Sequence, residues 1–111
     1  MKNIESLEEA RELIEANPIT LLYLSRPDCG VCTALKPKVE KMVEEYPGVT
    51  AGYVDLDALP EAAGEFSIFT IPGILVYVNG KESVRDARYV SMDDLEAKIA
   101  RPYQFLFPSS L

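Results

Sequence analysis

The chain has 111 residues, 48% of them apolar and 26% charged, which suits a single globular domain over 1–111 with its own core. Eleven basic against eighteen acidic residues give a net charge of −7. That balance argues against nucleic-acid partners and against anionic membranes, because both are bound through Lys and Arg. Residues 1–6 lack the apolar stretch of a secretory signal, and no run approaches the roughly 20 apolar residues of a membrane span. With cysteine confined to Cys29 and Cys32, the expected setting is a reducing cytoplasm.

In chain order, Ser6 followed by Glu9 forms a capping box, and Leu7, Ala10, Leu13 and Ile14 share one helical face that Pro18 ends. The glutamates of this helix (Glu5, Glu8, Glu9, Glu12, Glu15) form a solvated face. Residues 19–25 are a continuous apolar run, the pattern of a strand covered on both faces. A second helix runs from about Cys29 to Pro47-Gly48 on the stripe Leu35, Val39, Met42 and Tyr46, with Pro37 inside it. Residues 49–56 read as a strand, and Pro60 with Ala62, Ala63 and Gly64 as a short helix and connection. Residues 73–78 form a strand ending in Asn79-Gly80, a strong hairpin signal, and its partner is expected at about 84–90. Ser91 and Asp94 cap a last helix with Leu95 and Ile99 inward, and Pro102 is expected to end it. Beyond it the aromatic tail 101–111 alternates Tyr103, Phe105 and Phe107 as an extended segment does. The tail either folds back over the domain or serves a dimer or docking contact, so the expected state is a monomer or weak dimer. The predicted class is α/β: a central mixed sheet with a parallel βαβ core and a C-terminal antiparallel hairpin, flanked by helices.

Chemistry concentrates at Cys29-Gly30-Val31-Cys32, placed between a strand and a helix. Two thiols at this spacing close a small disulfide ring with little backbone movement. A helix that begins at Cys29 puts unpaired N–H groups and the positive helix end beside its sulfur, favouring the reactive thiolate. An inert pair and half of a metal site are the competing readings. Structural zinc needs four Cys or His ligands, and this chain has two cysteines and no histidine, so neither a metal nor a bound cofactor is expected.

With a strand, then Cys-x-x-Cys, then a helix containing Pro37, the chain resembles the thioredoxin family. Thr70-Ile71-Pro72-Gly73 looks like that family's cis-proline loop. The spacings from Cys29 to Pro37, from Cys29 to Pro72 and from Pro72 to Asn79-Gly80 agree, so the resemblance covers roughly residues 4–100. It differs at several points. Asp28 and Val31 stand where the family usually has Trp and Pro around its cysteines. Tyr23 and Tyr53 occupy the positions of a buried aspartate and its lysine partner, and Arg88 that of a glycine on the substrate-facing loop.

The resemblance implies a thiol–disulfide oxidoreductase that reduces protein disulfides and is reset by an external reductase. Cys29 is the implied nucleophile and the deeper Cys32 the resolving thiol. Arg26 favours the Cys29 thiolate and Asp28 opposes it. Tyr23 and Tyr53 modulate Cys32, or are core tyrosines with hydroxyls satisfied elsewhere; a phenol with pKa near 10 is no general base at neutral pH. Gly30, Val31, Ile71 and Pro72 are the implied substrate-contact residues, Ile71 through its backbone beside an extended peptide. Arg88 either adds a cation to this rim, favouring substrates with acidic neighbours, or is a solvated strand residue. A rival reading keeps the fold and the groove but makes the chain a binding module with vestigial exchange.

Overall fold

The computed structural model describes residues 1–108. Its elements are β1 (Lys2–Asn3), α1 (Leu7–Ala16), β2 (Ile19–Ser25), α2 (Gly30–Glu44), β3 (Val49–Asp55), α3 (Glu61–Phe66), β4 (Gly73–Val78), β5 (Lys81–Ala87) and α4 (Met92–Leu106). They build a five-stranded sheet in the order β1-β3-β2-β4-β5. β2 pairs parallel with β3 and antiparallel with β4, and β5 completes the hairpin on β4. This is the expected mixed α/β sheet.

All seven residues of β2 are buried, because helices cover both faces of the central strand. Leu22 and Leu24 point to the α1/α3 side, with Ala10, Ile14, Ala62 and Phe66. Ile19, Leu21 and Tyr23 point to the other side, with Val39 and Met42 of α2 and Leu95 and Ile99 of α4. Strand alternation therefore aims Tyr23 at the helix that carries the cysteines.

The Ser6 hydroxyl caps α1 by accepting from the Glu9 N–H at 3.0 Å. The Glu9 carboxylate lies 3.8 Å from the Lys2 ammonium. β1, two residues long and parallel to β3, is too short to leave a pattern in the sequence. Asn79 and Gly80 both adopt positive φ, 51° and 82°, as a two-residue turn of right twist requires.

Two expectations are corrected. The partner of β4 is Lys81–Ala87 rather than 84–90, because the two-residue turn pairs Val78 directly with Lys81, and the chain leaves the sheet at Arg88. Pro102 does not end the last helix, and 101–106 are not an extended tail: α4 continues to Leu106 with Pro102 inside it. Tertiary contacts hold the added turn. The buried Tyr103 donates its hydroxyl to the Pro47 carbonyl at 2.5 Å, and its ring stacks on Phe107 with centroids 4.7 Å apart. Tyr46 meets the same ring edge-on at 5.1 Å. Phe105 alone of these aromatics stays exposed, at 86%. The last residues of the predicted tail, 109–111, lie outside the described residues.

Candidate functional site

β2 delivers the chain to the first turn of α2, where Cys29 is the N-cap in extended conformation. Its sulfur accepts from the Cys32 N–H at 3.2 Å, the bond a capping oxygen makes at other helices. The Cys29 carbonyl accepts from the Thr33 N–H and hydroxyl, at 3.0 and 2.9 Å. Cys29 and Cys32 form a disulfide with Cα atoms 5.3 Å apart. Cys32 is 1% exposed, Cys29 half-buried, and Val31 between them 64% exposed. The pair thus has an open side at Cys29 and a closed side at Cys32.

The floor beneath Cys32 is phenolic. Tyr23, wholly buried, donates its hydroxyl to the Cys32 carbonyl at 2.5 Å. Tyr53 stacks beside it, with ring centroids 6.2 Å apart, and its hydroxyl accepts from Ser25 at 2.9 Å. Tyr23 thus reaches backbone of the redox motif, while Tyr53 is satisfied by its neighbour on β2. Burial, with a smaller contribution from Tyr53, pushes the Tyr23 phenol up to about 12. It is a hydrogen-bond donor at every physiological pH.

Two further residues join this floor. The Lys36 ammonium lies 4.5 Å from the centroid of the Tyr53 ring, one helical turn beyond Cys32. Ser25 ends β2 and is 2% exposed. Both were within reach of sequence reasoning: Lys36 shares the face of Cys32 at i+4, and Ser25 is a hydroxyl closing an apolar strand.

On the open side, the Arg26 guanidinium pairs with Asp57 at 3.0 Å, which compensates its charge locally. Asp28 is exposed in the turn before Cys29. Gly30, also exposed, has no atom within 4 Å of where a Cβ would stand. The Ile71-Pro72 peptide bond is cis. Pro72 is buried, and Ile71 packs against the same core cluster as Cys29. Arg88 lies beside them, its N–H donating to the Pro72 carbonyl at 2.8 Å. Among the described residues no cluster of three His, Cys, Asp or Glu side chains could hold a metal ion, and no helix is long and apolar enough to cross a membrane.

Comparison with known proteins agrees with this geometry. The sequence model of the thioredoxin family matches residues 3–101. The chain is 35% identical over 104 residues to the thioredoxin-like protein YdfQ of Bacillus subtilis, covering 94% of this chain and 93% of that one. Its fold superposes on the X-ray structure of Fasciola hepatica thioredoxin with a TM-score of 0.83 at 28% identity, covering 91% of this chain and 98% of the other. For a mutant thioredoxin from Halobacterium salinarum the TM-score is 0.84 at 19% identity, covering 92% and 89%. Family, fold and an oxidised Cys-x-x-Cys pair together support thiol–disulfide oxidoreductase activity. Matched from the first strand to the last helix, the chain belongs to the thioredoxin family.

Proposed function

We propose that this single domain reduces protein disulfides in a reducing cytoplasm, through a mixed disulfide on Cys29. The Cys29 thiolate attacks one sulfur of the substrate disulfide and expels the other as a thiolate. Cys32, deprotonated, then attacks the Cys29 sulfur, releasing the second substrate thiolate and closing the Cys29–Cys32 bond. Two electrons pass from the dithiol to the substrate, and an external reductase returns two electrons to the pair. Neither a metal nor a bound cofactor takes part.

The observation that carries this reading is the position of the pair: the Cys29 sulfur caps a 15-residue helix and accepts the Cys32 N–H. The same N–H and the positive helix end stabilise a thiolate there. The closed side around Cys32 suits the resolving role, since it meets only a substrate already bound to Cys29. Its proton goes to solvent, because Tyr23 with a phenol near 12 does not accept one at neutral pH. Gly30, Val31, Ile71, Pro72 and Arg88 form the surface that receives the substrate, with Val31 offering exposed apolar area. Arg26 and Asp28 modulate Cys29 from the turn before it.

Insulin reduction with dithiothreitol tests the proposal. Precipitation is expected to be fast with the wild-type protein and to fall to the dithiothreitol background with Cys29→Ser. Equal rates would favour the rival reading, a binding module that keeps the groove without exchange.

A further inference from the structure

We propose that Arg88 selects, among the disulfides this protein reduces, those with a carboxylate side chain next to the cysteine under attack; the inference rests on the proposed reductase function. β5 ends at Ala87, and the next residue turns the chain sharply. Arg88 has φ of 71°, and the Tyr89 N–H donates to the Ala87 carbonyl at 2.8 Å. A bond between residues two apart around a left-handed centre is the strained form of the γ-turn. Glycine fits such a centre without cost, whereas an arginine Cβ opposes it. Strained positions of this kind concentrate where a side chain is presented to a ligand.

The turn is fixed where a substrate would pass. The Arg88 N–H donates to the Pro72 carbonyl at 2.8 Å, tying the turn to the loop that precedes β4. The guanidinium stands 5.1 Å from the centroid of the Tyr89 ring, which is 80% exposed. That ring supports the cation from one side and leaves its hydrogen-bonding fork open.

Charge decides what the fork receives. Arg11, Arg26 and Arg85 each lie against a carboxylate, at 2.7, 3.0 and 2.6 Å. Among the described residues Arg88 has no carboxylate within ion-pair distance. The net charge of −7 repels an acidic partner at long range. Over the ~8 Å screening length of physiological salt, however, distant charges are damped and those at the site count most. The Arg88 cation there attracts a carboxylate, against the opposing charge of Asp28 next to Cys29. A guanidinium fork matches a carboxylate in two parallel hydrogen bonds. The Arg88 N–H on the Pro72 carbonyl, and the packing of Ile71 and Cys29 against one core cluster, put the fork beside the path of an extended substrate. A carboxylate close to the substrate cysteine is therefore the group expected to meet it.

The test uses two peptide disulfides identical except for Glu or Lys beside the cysteine, with 2-hydroxyethyl disulfide as a neutral reference. The reduced wild-type protein is expected to react about five-fold faster with the Glu peptide in low salt, the scale of one exposed charge pair. The ratio should fall towards one in 0.5 M NaCl (roughly a 4 Å screening length) and in Arg88→Gln. It should fall likewise in Arg88→Gly, which suits the left-handed turn and so keeps the fold, while Arg88→Lys retains part of it. Equal wild-type rates for the two peptides, or a preference that survives in both Arg88→Gln and Arg88→Gly, overturn the proposal. If even 2-hydroxyethyl disulfide is not reduced, the reductase reading falls first and this inference with it.

Discussion

The Tyr23 hydroxyl donates to the main-chain carbonyl of Cys32 at 2.5 Å, across the boundary between β2 and α2. A buried carboxylate beneath a resolving cysteine can exchange protons with it, whereas this phenol is anchored to backbone. The bond fixes the height of the first helical turn above the sheet. It therefore joins the strand that carries the site to the helix that presents it.

Removing that hydroxyl should cost stability without changing the acid–base behaviour of exchange. The Cys32 carbonyl also faces the helical amide four residues on, so Tyr23→Phe leaves no orphaned acceptor. The expected loss is about 1 kcal/mol in the urea unfolding of the oxidised protein. The pH–rate profile of exchange from pH 6 to 9 should superpose on wild type, because the phenol stays protonated throughout. A displaced profile would assign Tyr23 a proton-transfer role after all.

Tyr23→Asp separates stability from kinetics in the opposite sense. A carboxylate at this position lies behind Cys32 and can take its proton as the mixed disulfide resolves. Resolution measured in a single turnover should therefore speed up. The fold should weaken by about 3–5 kcal/mol, the scale of losing a buried aromatic side chain. An unchanged resolution rate in the folded variant would show that proton removal from Cys32 is not limiting.

Alkaline unfolding should report the buried phenols. Tyr23 is raised to about 12 by burial and by Tyr53, and Tyr46 to about 12 by burial and its hydrogen bond to Glu96. In the unfolded chain both titrate near 10. Between pH 10 and 12 the unfolded state has released protons that the folded state keeps, so rising pH favours unfolding across that window. Below pH 10 both states are protonated and these groups contribute no slope. Tyr46 is half-buried and counts for less than Tyr23. Urea midpoints at pH 8, 10 and 11.5 should show the drop, and Tyr23→Phe should reduce its size. A wild-type midpoint that stays level to pH 11.5 would contradict the assigned burial.

The features legible in the sequence are those encoded locally. The Ser6 cap, the apolar run of β2 and the Asn79-Gly80 turn each depend on a few adjacent residues. So does the placement of Cys29 at a helix start. What escaped depends on contacts between distant segments. Pro102 carries a local stop signal, yet the Tyr103 hydroxyl on Pro47 and the Phe107 stack hold the helix past it. The bond from Tyr23 to the Cys32 carbonyl needs the spacing between β2 and α2, which no periodicity specifies. By sequence pattern Arg88 belongs to the strand; its φ of 71° and the Tyr89 N–H on the Ala87 carbonyl turn the chain out of the sheet there.

The clamp between the end of α4 and the α2–β3 turn gives the last prediction. Gly48 has φ of 106°, and a Cβ there would stand 2.8 Å from Cζ and 2.9 Å from Cε1 of Phe107. Gly48→Ala therefore meets backbone strain and a clash with a ring that Tyr103 holds in place. The expected loss is about 2–3 kcal/mol. Tyr103→Phe removes only the hydroxyl bond to Pro47, at about 1 kcal/mol. Once that bond is gone the Phe107 ring can yield, so the double variant should lose less than the two single losses added together. Urea unfolding of the four proteins measures the coupling. Strict additivity would show that Phe107 does not move with Tyr103, and that the helix beyond Pro102 is held by the two contacts separately.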